Sequence, residues 1–494
     1  MNPADWALAQ LSPSVESALR IAYGTLLLLQ LVVLTVPQTH RFFVSERYGG
    51  YVESSPFSDR WLRPAIVRAV MAVWIVAAFG IATGAWLLPG ALVNFAFARY
   101  FYVHTRWRSI LRGMGAPGHM NHWLALLIAL LAIAESVDSG GMLHAMTVLT
   151  FRIDYALIMI AAGVYKLTAG YAHGDGFERG LVNPWWGYWA RWLKNVSPNA
   201  LAFRVLNNAG WLAEIACGTL FLVIPVAPFA AVFFAASFLG IGLVIRLGFL
   251  AEMVAVATLL YWYPGSLFDA WLTKTFAQPA PAPHGGPVAA LVVWPLVAAM
   301  IAYLALLPFA YAGMSINFYA KRTLPSTVQR ALDRWTVFFG LILWRVFTAD
   351  LINFFVDVRV SAPGRAESRP YMQLRAWNRA TGWRYMHVGE FICLASIFTA
   401  LKYYPDDRSV FERRLLRYAR TVPTASAERV VFDYYAVRKG VRAFEYHLVA
   451  RFVADPQASS VTEEVLEAGF DARRRADISP ISPGVRPGSY APAR

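Results

Sequence analysis

Long apolar runs recur between residues 18 and 312 and point to a membrane-embedded fold. A helix needs about 20 predominantly apolar residues to cross the hydrocarbon core of a bilayer. Only 15% of the 494 residues are charged, against about a quarter in an ordinary soluble protein. The pattern predicts an all-α polytopic membrane bundle of about nine transmembrane helices with a small α/β C-terminal appendage. The predicted spans are 18–36, 65–87, 89–103, 122–137, 145–167, 208–225, 228–247, 249–263 and 287–312.

Changes in composition divide the chain into five segments. They are an N-terminal tail (1–17), the transmembrane bundle (18–312), a basic loop with an interfacial helix (313–355), a soluble α/β appendage (356–478) and a disordered tail (479–494). Within the appendage we expect an apolar helix at 388–400 and an amphipathic helix at 405–421. Alternating apolar and polar residues on both sides of 438–440 predict a β-hairpin. The tail is rich in Pro, Gly and Ser, which predicts disorder.

The basic charge of the chain predicts a membrane orientation rather than nucleic-acid binding. The net charge is +15, and the basic residues collect in the loops 37–64, 104–121, 168–207 and 313–334. With nine spans these loops share one side, which the positive-inside rule makes cytoplasmic. We therefore expect a multi-pass protein of the bacterial inner (cytoplasmic) membrane, with the lipid bilayer as its partner and no nucleic acid. No cleavable signal peptide is predicted, because residues 1–16 lack a basic segment.

Lys166 is the most informative single residue. It follows the wholly apolar stretch 156–164 near the end of the fifth predicted span. A lysine at membrane depth costs roughly 2.5–3.5 kcal/mol on insertion scales, so such residues commonly mark a site. One interpretation is a snorkelling side chain that places its ammonium at the head groups. The other is a desolvated amine that acts as a base, with Gly163 allowing a ligand or a neighbouring helix to approach.

Asn121 and His122 stand at the start of the fourth predicted span. A histidine there is either an interfacial hydrogen-bonding group or a partner for an anionic oxygen near Lys166. The start of one span and the end of the next lie on the same membrane face, so a shared pocket is expected. The histidines have no zinc-motif spacing, and Cys217 and Cys393 have no metal-ligand spacing, so no metal or structural disulfide is predicted.

Further ionisable residues fall within or between the apolar runs. They are Arg152, Asp154, Glu214, Arg246 and Glu252. Buried opposite charges usually pair, so the two interpretations are an ion-pair scaffold between helices and a substrate-binding site. The aromatic segment 176–193 is expected to be an interfacial helix, or else to wall a flat ring such as a quinone.

Several short motifs resemble the HTTM superfamily, the bacterial membrane relatives of vitamin K-dependent γ-glutamyl carboxylase. In AAGVYKL (161–167), Lys166 takes the position of the carboxylase's catalytic-base lysine, and Arg152 matches an arginine upstream. In MNHW, Asn121 and His122 match the family's Asn-His pair, whose histidine is linked to hydroquinone chemistry. In WLAEIACG, Glu214 stands where the carboxylase has an acid. The likeness covers roughly 18–312.

The resemblance implies a quinol-dependent oxygenase or carboxylase-like enzyme, with a reduced quinone or another lipid-soluble molecule as its substrate. Lys166 would deprotonate a hydroxyl, His122 with Asn121 would stabilise the oxyanion, and dioxygen would then react. The chain departs from the carboxylase in three respects. It has no histidine in 228–263, and its appendage is much shorter, which disfavours docking of a protein substrate. The loop charges also place the Lys166 face in the cytoplasm, whereas the carboxylase works on the lumenal side. The alternative is a non-enzymatic transporter or membrane scaffold, which predicts that Lys166 pairs with Asp154, Glu135 or Glu214.

Overall fold

The chain folds into a helical part followed by a small antiparallel sheet. The computed structural model describes residues 10–104, 115–138, 141–174, 176–275, 287–320, 322, 324–344, 352–362, 368–372, 388–403, 407–425 and 428–468. The helices are α1 (Pro13–Phe42), α2 (Pro56–Trp61), α3 (Pro64–Thr83), α4 (Leu87–Ala98), α5 (Gly115–Val137), α6 (Met142–Thr168), α7 (Phe177–Val182), α8 (Ala190–Leu193), α9 (Leu201–Leu220), α10 (Ala227–Val244), α11 (Leu250–Ala257), α12 (Leu267–Thr275), α13 (Pro287–Tyr319), α14 (Ser326–Phe339), α15 (Val388–Tyr403) and α16 (Arg408–Ala419). The strands are β1 (Phe354–Ser361), β2 (Arg369–Met372), β3 (Arg429–Lys439), β4 (Phe444–Asp455) and β5 (Ser460–Val465).

Six helices in the described ranges are long and apolar enough to cross a membrane, so the protein is of the multi-pass membrane type. They are Pro13–Phe42, Pro64–Thr83, Ala116–Val137, Met142–Thr168, Ala227–Val244 and Ala290–Tyr319. The predicted spans 89–103 and 249–263 correspond to the shorter apolar helices Leu87–Val103 and Leu250–Tyr261. The predicted span 208–225 overlaps α9, which carries a buried carboxyl group and is not among the six. A membrane bundle is thus confirmed, whereas the count of nine spans is not.

Local signals explain where several helices begin and end. The Ser12 side chain accepts a hydrogen bond from the Val15 backbone N–H (3.2 Å) at the start of α1, the usual role of an N-cap serine. α3 has proline at its first position, where no intrahelical N–H bond is needed. Gly84 ends α3 and Gly340 ends α14, each with a left-handed backbone (φ 77° and 71°) that glycine adopts without steric cost.

The surface of the bundle is apolar in many places, which suits contact with lipid tails. On α10, Phe229, Phe233 and Leu243 are 58%, 60% and 67% exposed, respectively. On α13, Leu291 and Phe309 are more than 70% exposed. A soluble monomer rarely exposes large contiguous apolar patches, so these outward-facing side chains support the membrane environment.

The C-terminal sheet is fully antiparallel and has the strand order β2-β1-β3-β4-β5. The predicted hairpin is confirmed as β3 and β4, and the two predicted helices are confirmed as α15 and α16. Phe398 of α15 packs against Tyr434 and Phe452 of the sheet, so the two helices cover one face. The predicted disordered tail 479–494 lies outside the described residues.

Two of the contacts that attach the sheet and its helices to the bundle lie in different regions of the chain. At the first, the Asn183 side-chain amide donates to the backbone carbonyls of Ile352 and Phe354, both at 2.8 Å. At the second, Arg41 at the end of α1 forms an ion pair with Glu390 of α15 at 2.9 Å. The appendage is therefore joined to both the first helix and the end of α7.

Candidate functional site

Lys166 and Glu214 form a buried ion pair between α6 and α9. The Lys166 ammonium donates a hydrogen bond to Oε1 of Glu214. The two residues are 7% and 2% exposed, so both charged groups are removed from water. The other carboxylate oxygen of Glu214 has no hydrogen-bond partner within the described ranges. Such a pair is costly to bury. The second carboxylate oxygen of Glu214 can still accept a hydrogen bond from one further donor.

Two glycines allow α6 and α9 to approach closely enough for this pair to form. A Cβ at Gly163 would lie 2.8 Å from the Trp211 carbonyl oxygen and 2.6 Å from the Ile215 side chain. A Cβ at Gly218 would lie 3.0 Å from the Ala156 carbonyl oxygen. The sequence predicted that either a ligand or a neighbouring helix approaches Gly163. In the structure, the neighbouring helix α9 does so. The contact places Glu214 opposite the last turn of α6.

Asn121 belongs to a separate buried network of polar side chains. Its Nδ2 donates to Gln30 Oε1 (3.1 Å), and its Oδ1 accepts from the Tyr23 hydroxyl (2.7 Å). Asn94 donates to the Tyr23 oxygen (2.9 Å) and accepts from the Trp74 indole N–H (2.8 Å). These side chains connect α1, α3, α4 and α5. They stabilise the bundle because buried polar groups that are hydrogen-bonded avoid the cost of desolvation.

His122 is buried on the same helix and faces a different set of groups. Its ring lies 5.7 Å from the Phe95 ring, and a Cβ at Gly340 would lie 3.3 Å from Nδ1. His122 Nε2 and the indole nitrogen of Trp344 have no hydrogen-bond partner among the residues described here. His119, one turn before His122, packs its ring 5.5 Å from that of Trp344. Two buried nitrogen atoms therefore lie in one region with capacity for a ligand atom.

His122 and Lys166 lie at different depths of the bundle. Trp123, next to His122, donates to the Asp154 carboxylate at 2.9 Å. Asp154 precedes Lys166 by twelve residues on α6, which corresponds to about 18 Å of helix. The structure brings Lys166 together with Glu214, and it places Asn121 and His122 nearer the middle of α6.

The remaining predicted site residues are held by other contacts. The Arg152 guanidinium donates to the Leu260 carbonyl at 2.5 Å, and Asp154 accepts from Trp123. Arg246 donates to backbone carbonyls of the loop before α8, including Gly187 at 3.1 Å. Glu252 lies half-buried in the first turn of α11. None of these four residues pairs with Lys166. Its partner is Glu214, one of the three acids that the transporter or scaffold hypothesis named.

A second buried carboxylate, at Glu178 in the first turn of α7, was not predicted as a site residue. Its oxygens accept from the Gly176 backbone N–H (3.1 Å) and from the Asn207 amide (2.7 Å). Lys439, at the end of β3, forms an ion pair with it at 3.0 Å. Glu178 is fully buried. Its burial could not be predicted from the neighbouring residues, because its partners Asn207 and Lys439 are far away along the chain.

The aromatic segment 176–193 packs mainly against the appendage. It contains the short helices α7 and α8 instead of one interfacial helix. The Trp185 ring stacks on Phe391 of α15 with centroids 5.8 Å apart. Trp189 and Trp192 stack on each other at 5.2 Å and are 44% and 62% exposed. Only these last two rings remain available to a lipid or a flat ligand.

Neither cysteine forms a disulfide, and both are buried. Within the part of the chain that the structure describes, no group of three or more His, Cys, Asp or Glu residues could hold a metal ion.

The fold and its buried groups define a multi-pass helical membrane protein with a docked antiparallel sheet and a buried lysine–carboxylate pair. Comparison with protein-family models, with curated proteins and with solved structures finds no match for this chain.

Proposed function

We propose that this protein is a membrane-embedded enzyme of the HTTM type, in which Lys166 is the base for a lipid-soluble substrate such as a reduced quinone. The observation that carries the proposal is the Lys166–Glu214 pair, buried between two helices of an apolar bundle. Ionisable groups in such positions are expensive and are commonly functional.

The pair can supply a neutral amine without exposing it to water. If the proton moves from Lys166 Nζ to Glu214 Oε1, both groups become neutral and the desolvation cost of two charges disappears. The free amine can then accept a proton from a substrate hydroxyl. Once Glu214 has released its own proton, its carboxylate stabilises the resulting ammonium, since an opposite charge nearby favours the charged form. A water-poor setting strengthens each of these interactions.

A reduced quinone fits this donor set as a substrate. When bound, it supplies a weakly acidic hydroxyl and two electrons for dioxygen. His122 and Lys166 lie at different depths in the bundle. The group that acts directly with Lys166 is therefore Glu214 and not His122. The buried nitrogen atoms of His122 and Trp344 lie too far along the bundle to bind the same ring, so they have no role in this step.

The proposal also covers the number of membrane spans and a more specific reaction, the carboxylation of a protein glutamate. The shorter apolar helices Leu87–Val103 and Leu250–Tyr261, together with α9, would complete a nine-span bundle in a bacterial inner membrane. Carboxylase-like activity on a protein glutamate is the narrower form of the proposal, and it requires a protein substrate and carbon dioxide as well as the quinol and dioxygen.

The test is analysis of quinone products by mass spectrometry. Purified protein in lipid is given a reduced quinone and dioxygen, and Lys166→Met is compared with Lys274→Met, which replaces an exposed lysine on α12. We expect a product from the wild-type and Lys274→Met proteins that falls by at least about 100-fold in Lys166→Met. Equal product from the two variants would refute the assignment of Lys166 as the base.

A non-enzymatic scaffold or transporter is the second candidate, and one observation favours it. The Lys166–Glu214 ion pair is the type of contact that this hypothesis predicts. In that case the double substitution Lys166→Met with Glu214→Leu should leave the physiological function intact, because an apolar pair of similar volume replaces the ion pair. An enzyme that uses Lys166 loses its function in the same variant.

A further inference from the structure

An exposed surface of basic and apolar side chains lies between α7 and the first turns of α9. It comprises residues 189–206 and is called the 189–206 surface. Trp189 and Trp192 stack on each other and face outward. Leu201 is 75% exposed and Val205 is 57% exposed. Large apolar side chains that lie together on a surface commonly mark an interaction site.

The charge of this region is of one sign. Residues 179–213 include three arginines and one lysine but no aspartate or glutamate. Arg191 and Arg204 are exposed. The acids that border the region, Glu178 and Glu214, are buried, and each is paired with a lysine. The positive charges of the two exposed arginines therefore favour an anionic partner.

Phe444 of β4 holds the two ends of the 189–206 surface together. Its backbone N–H donates to the Lys194 carbonyl at 2.7 Å, and its ring lies 6.0 Å from the Phe203 ring. Arg204 directly follows Phe203, and Arg191 precedes Lys194 by three residues. Both arginines therefore lie within about one helical turn of a residue that contacts Phe444.

α9 carries the 189–206 surface into the apolar bundle. Leu201, Val205 and Leu212 are exposed and lie within roughly 40° of one another around the helix axis. Asn207 and Glu214 are buried on the opposite side. An exposed apolar helix face is suited to lipid tails, and tryptophan with basic residues at the end of such a helix is typical of the head-group level.

We propose that the 189–206 surface lies at the membrane interface and binds anionic phospholipid head groups. The guanidinium groups of Arg191 and Arg204 donate hydrogen bonds to phosphate oxygens, whose geometry arginine matches well. The two tryptophan rings lie at the level of the head groups, and the exposed side chains of α9 contact the acyl chains. Binding of this kind does not require Lys166 to be a base, so it is independent of the proposed enzymatic function.

An acidic soluble protein is a poorer match for this surface. It would pair with the arginines but would leave the apolar side of α9, with Leu201 and Val205, in water. A bilayer with anionic lipid provides phosphate oxygens for the arginines and acyl chains for the apolar side chains. Lipid is therefore the partner that satisfies both parts of the surface.

Lipid binding is coupled to docking of the sheet, because the 189–206 surface also contacts β4. Lys194 accepts the hydrogen bond from the Phe444 N–H, and its ammonium lies 5.2 Å from the centroid of the Tyr446 ring. Head groups that order this segment therefore stabilise the docked sheet. By reciprocity, the docked sheet raises the affinity for lipid by the same factor.

The first test identifies the lipids that contact this surface. A bimane label on Ala202→Cys, an exposed position of α9, is quenched on contact with brominated lipid, and the two native cysteines are buried. Brominated phosphatidylglycerol should quench the label more than brominated phosphatidylcholine at equal mole fraction. Arg191→Gln with Arg204→Gln should lower the relative affinity for phosphatidylglycerol about 25-fold, because each basic residue near an anionic membrane surface contributes about fivefold.

Two further double variants are the controls. Arg191→Lys with Arg204→Lys keeps both charges and should keep most of the preference. Arg369→Gln with Arg429→Gln removes the same charge from exposed arginines of the sheet that are already paired with acids, and it should leave the preference unchanged. Equal quenching of the wild-type label by the two lipids, or displacement of the lipid by soluble polyglutamate, would overturn the proposal.

The second test follows hydrogen exchange of the Phe444 amide in bilayers of defined composition. When phosphatidylglycerol replaces phosphatidylcholine, exchange should slow at least about fivefold in wild type and stay unchanged in Arg191→Gln with Arg204→Gln. The amides of β5 (Ser460–Val465), which pairs with the other end of β4, are the internal control. The same exchange rate at Phe444 in both lipids would refute the coupling. Neither test uses a substrate, so absence of a Lys166-dependent quinone product refutes only the enzymatic proposal.

Discussion

The buried Lys166–Glu214 pair makes a quantitative prediction about stability. Lys166→Met leaves the Glu214 carboxylate without its counter-ion, and Glu214→Leu leaves the ammonium alone among apolar groups. Both residues are at least nine-tenths buried, so solvent can compensate little in either variant. The double variant removes both charges and places two apolar side chains of similar volume at the helix contact.

The magnitudes follow from what buried pairs cost. Removal of one partner from a buried ion pair is expected to lower the free energy of unfolding by about 3–5 kcal/mol. The double variant should lie within about 1 kcal/mol of wild type or above it. The two single losses sum to about 6–10 kcal/mol, so the non-additivity should be at least about 5 kcal/mol, which is large even for residues in direct contact.

The assay is reversible unfolding in mixed micelles, followed by circular dichroism at fixed protein and lipid concentration. An exposed pair on α16 serves as the control: Arg408 and Glu412 are 42% and 37% exposed at 2.8 Å. Their corresponding single substitutions should each change the free energy of unfolding by less than about 1 kcal/mol. If the Lys166 and Glu214 effects simply add, the two side chains do not form the pair on which the functional proposal depends.

Three further results are expected. Gly163→Ala should destabilise the protein by about 1–3 kcal/mol, because the added methyl group forces α6 and α9 apart; thermal unfolding at a fixed detergent concentration checks this, and an unchanged Tm would contradict the close contact. Asn121→Leu should cost about 1–3 kcal/mol, since the Tyr23 hydroxyl loses its acceptor, and Tyr23→Phe in the same background should recover part of the loss. Burial, with the nearby Glu390 carboxylate adding to it, raises the pKa of Tyr418, so its contribution to stability is present below about pH 10 and is lost as the pH rises above that value. Tyr418→Phe should therefore unfold with a weaker alkaline dependence than wild type, and identical pH profiles would contradict this.

The sequence predicted the elements whose signals are local. Apolar runs located the six long helices, because a membrane span is recognised from composition alone. Alternation on both sides of 438–440 located β3 and β4. The start of strand β1 was missed because it is apolar, so the residues up to 355 were assigned to the segment of the basic loop and interfacial helix (313–355). In the structure α14 ends at Phe339, and Phe354 already begins the sheet.

Contacts between distant residues were harder to predict. Lys166 was identified from its cost at membrane depth, and Glu214 was among the acids allowed as its partner. The choice between Glu214 and Asp154 depended on Gly163 and on the packing of α6 against α9, which no spacing in the sequence specifies. Glu178 was missed for the same reason, since its burial results from long-range contacts.

The ion pair between Arg41 and Glu390 has a consequence for the order in which the protein can be made. The two residues are separated by 349 positions in the chain, and translation proceeds at about 5–20 residues per second. Arg41 is therefore synthesised about 17–70 s before its partner. During that interval the first helix has to be held in the membrane by its helical neighbours alone. The final packing of this helix end is thus a late event that a chain truncated before α15 cannot complete.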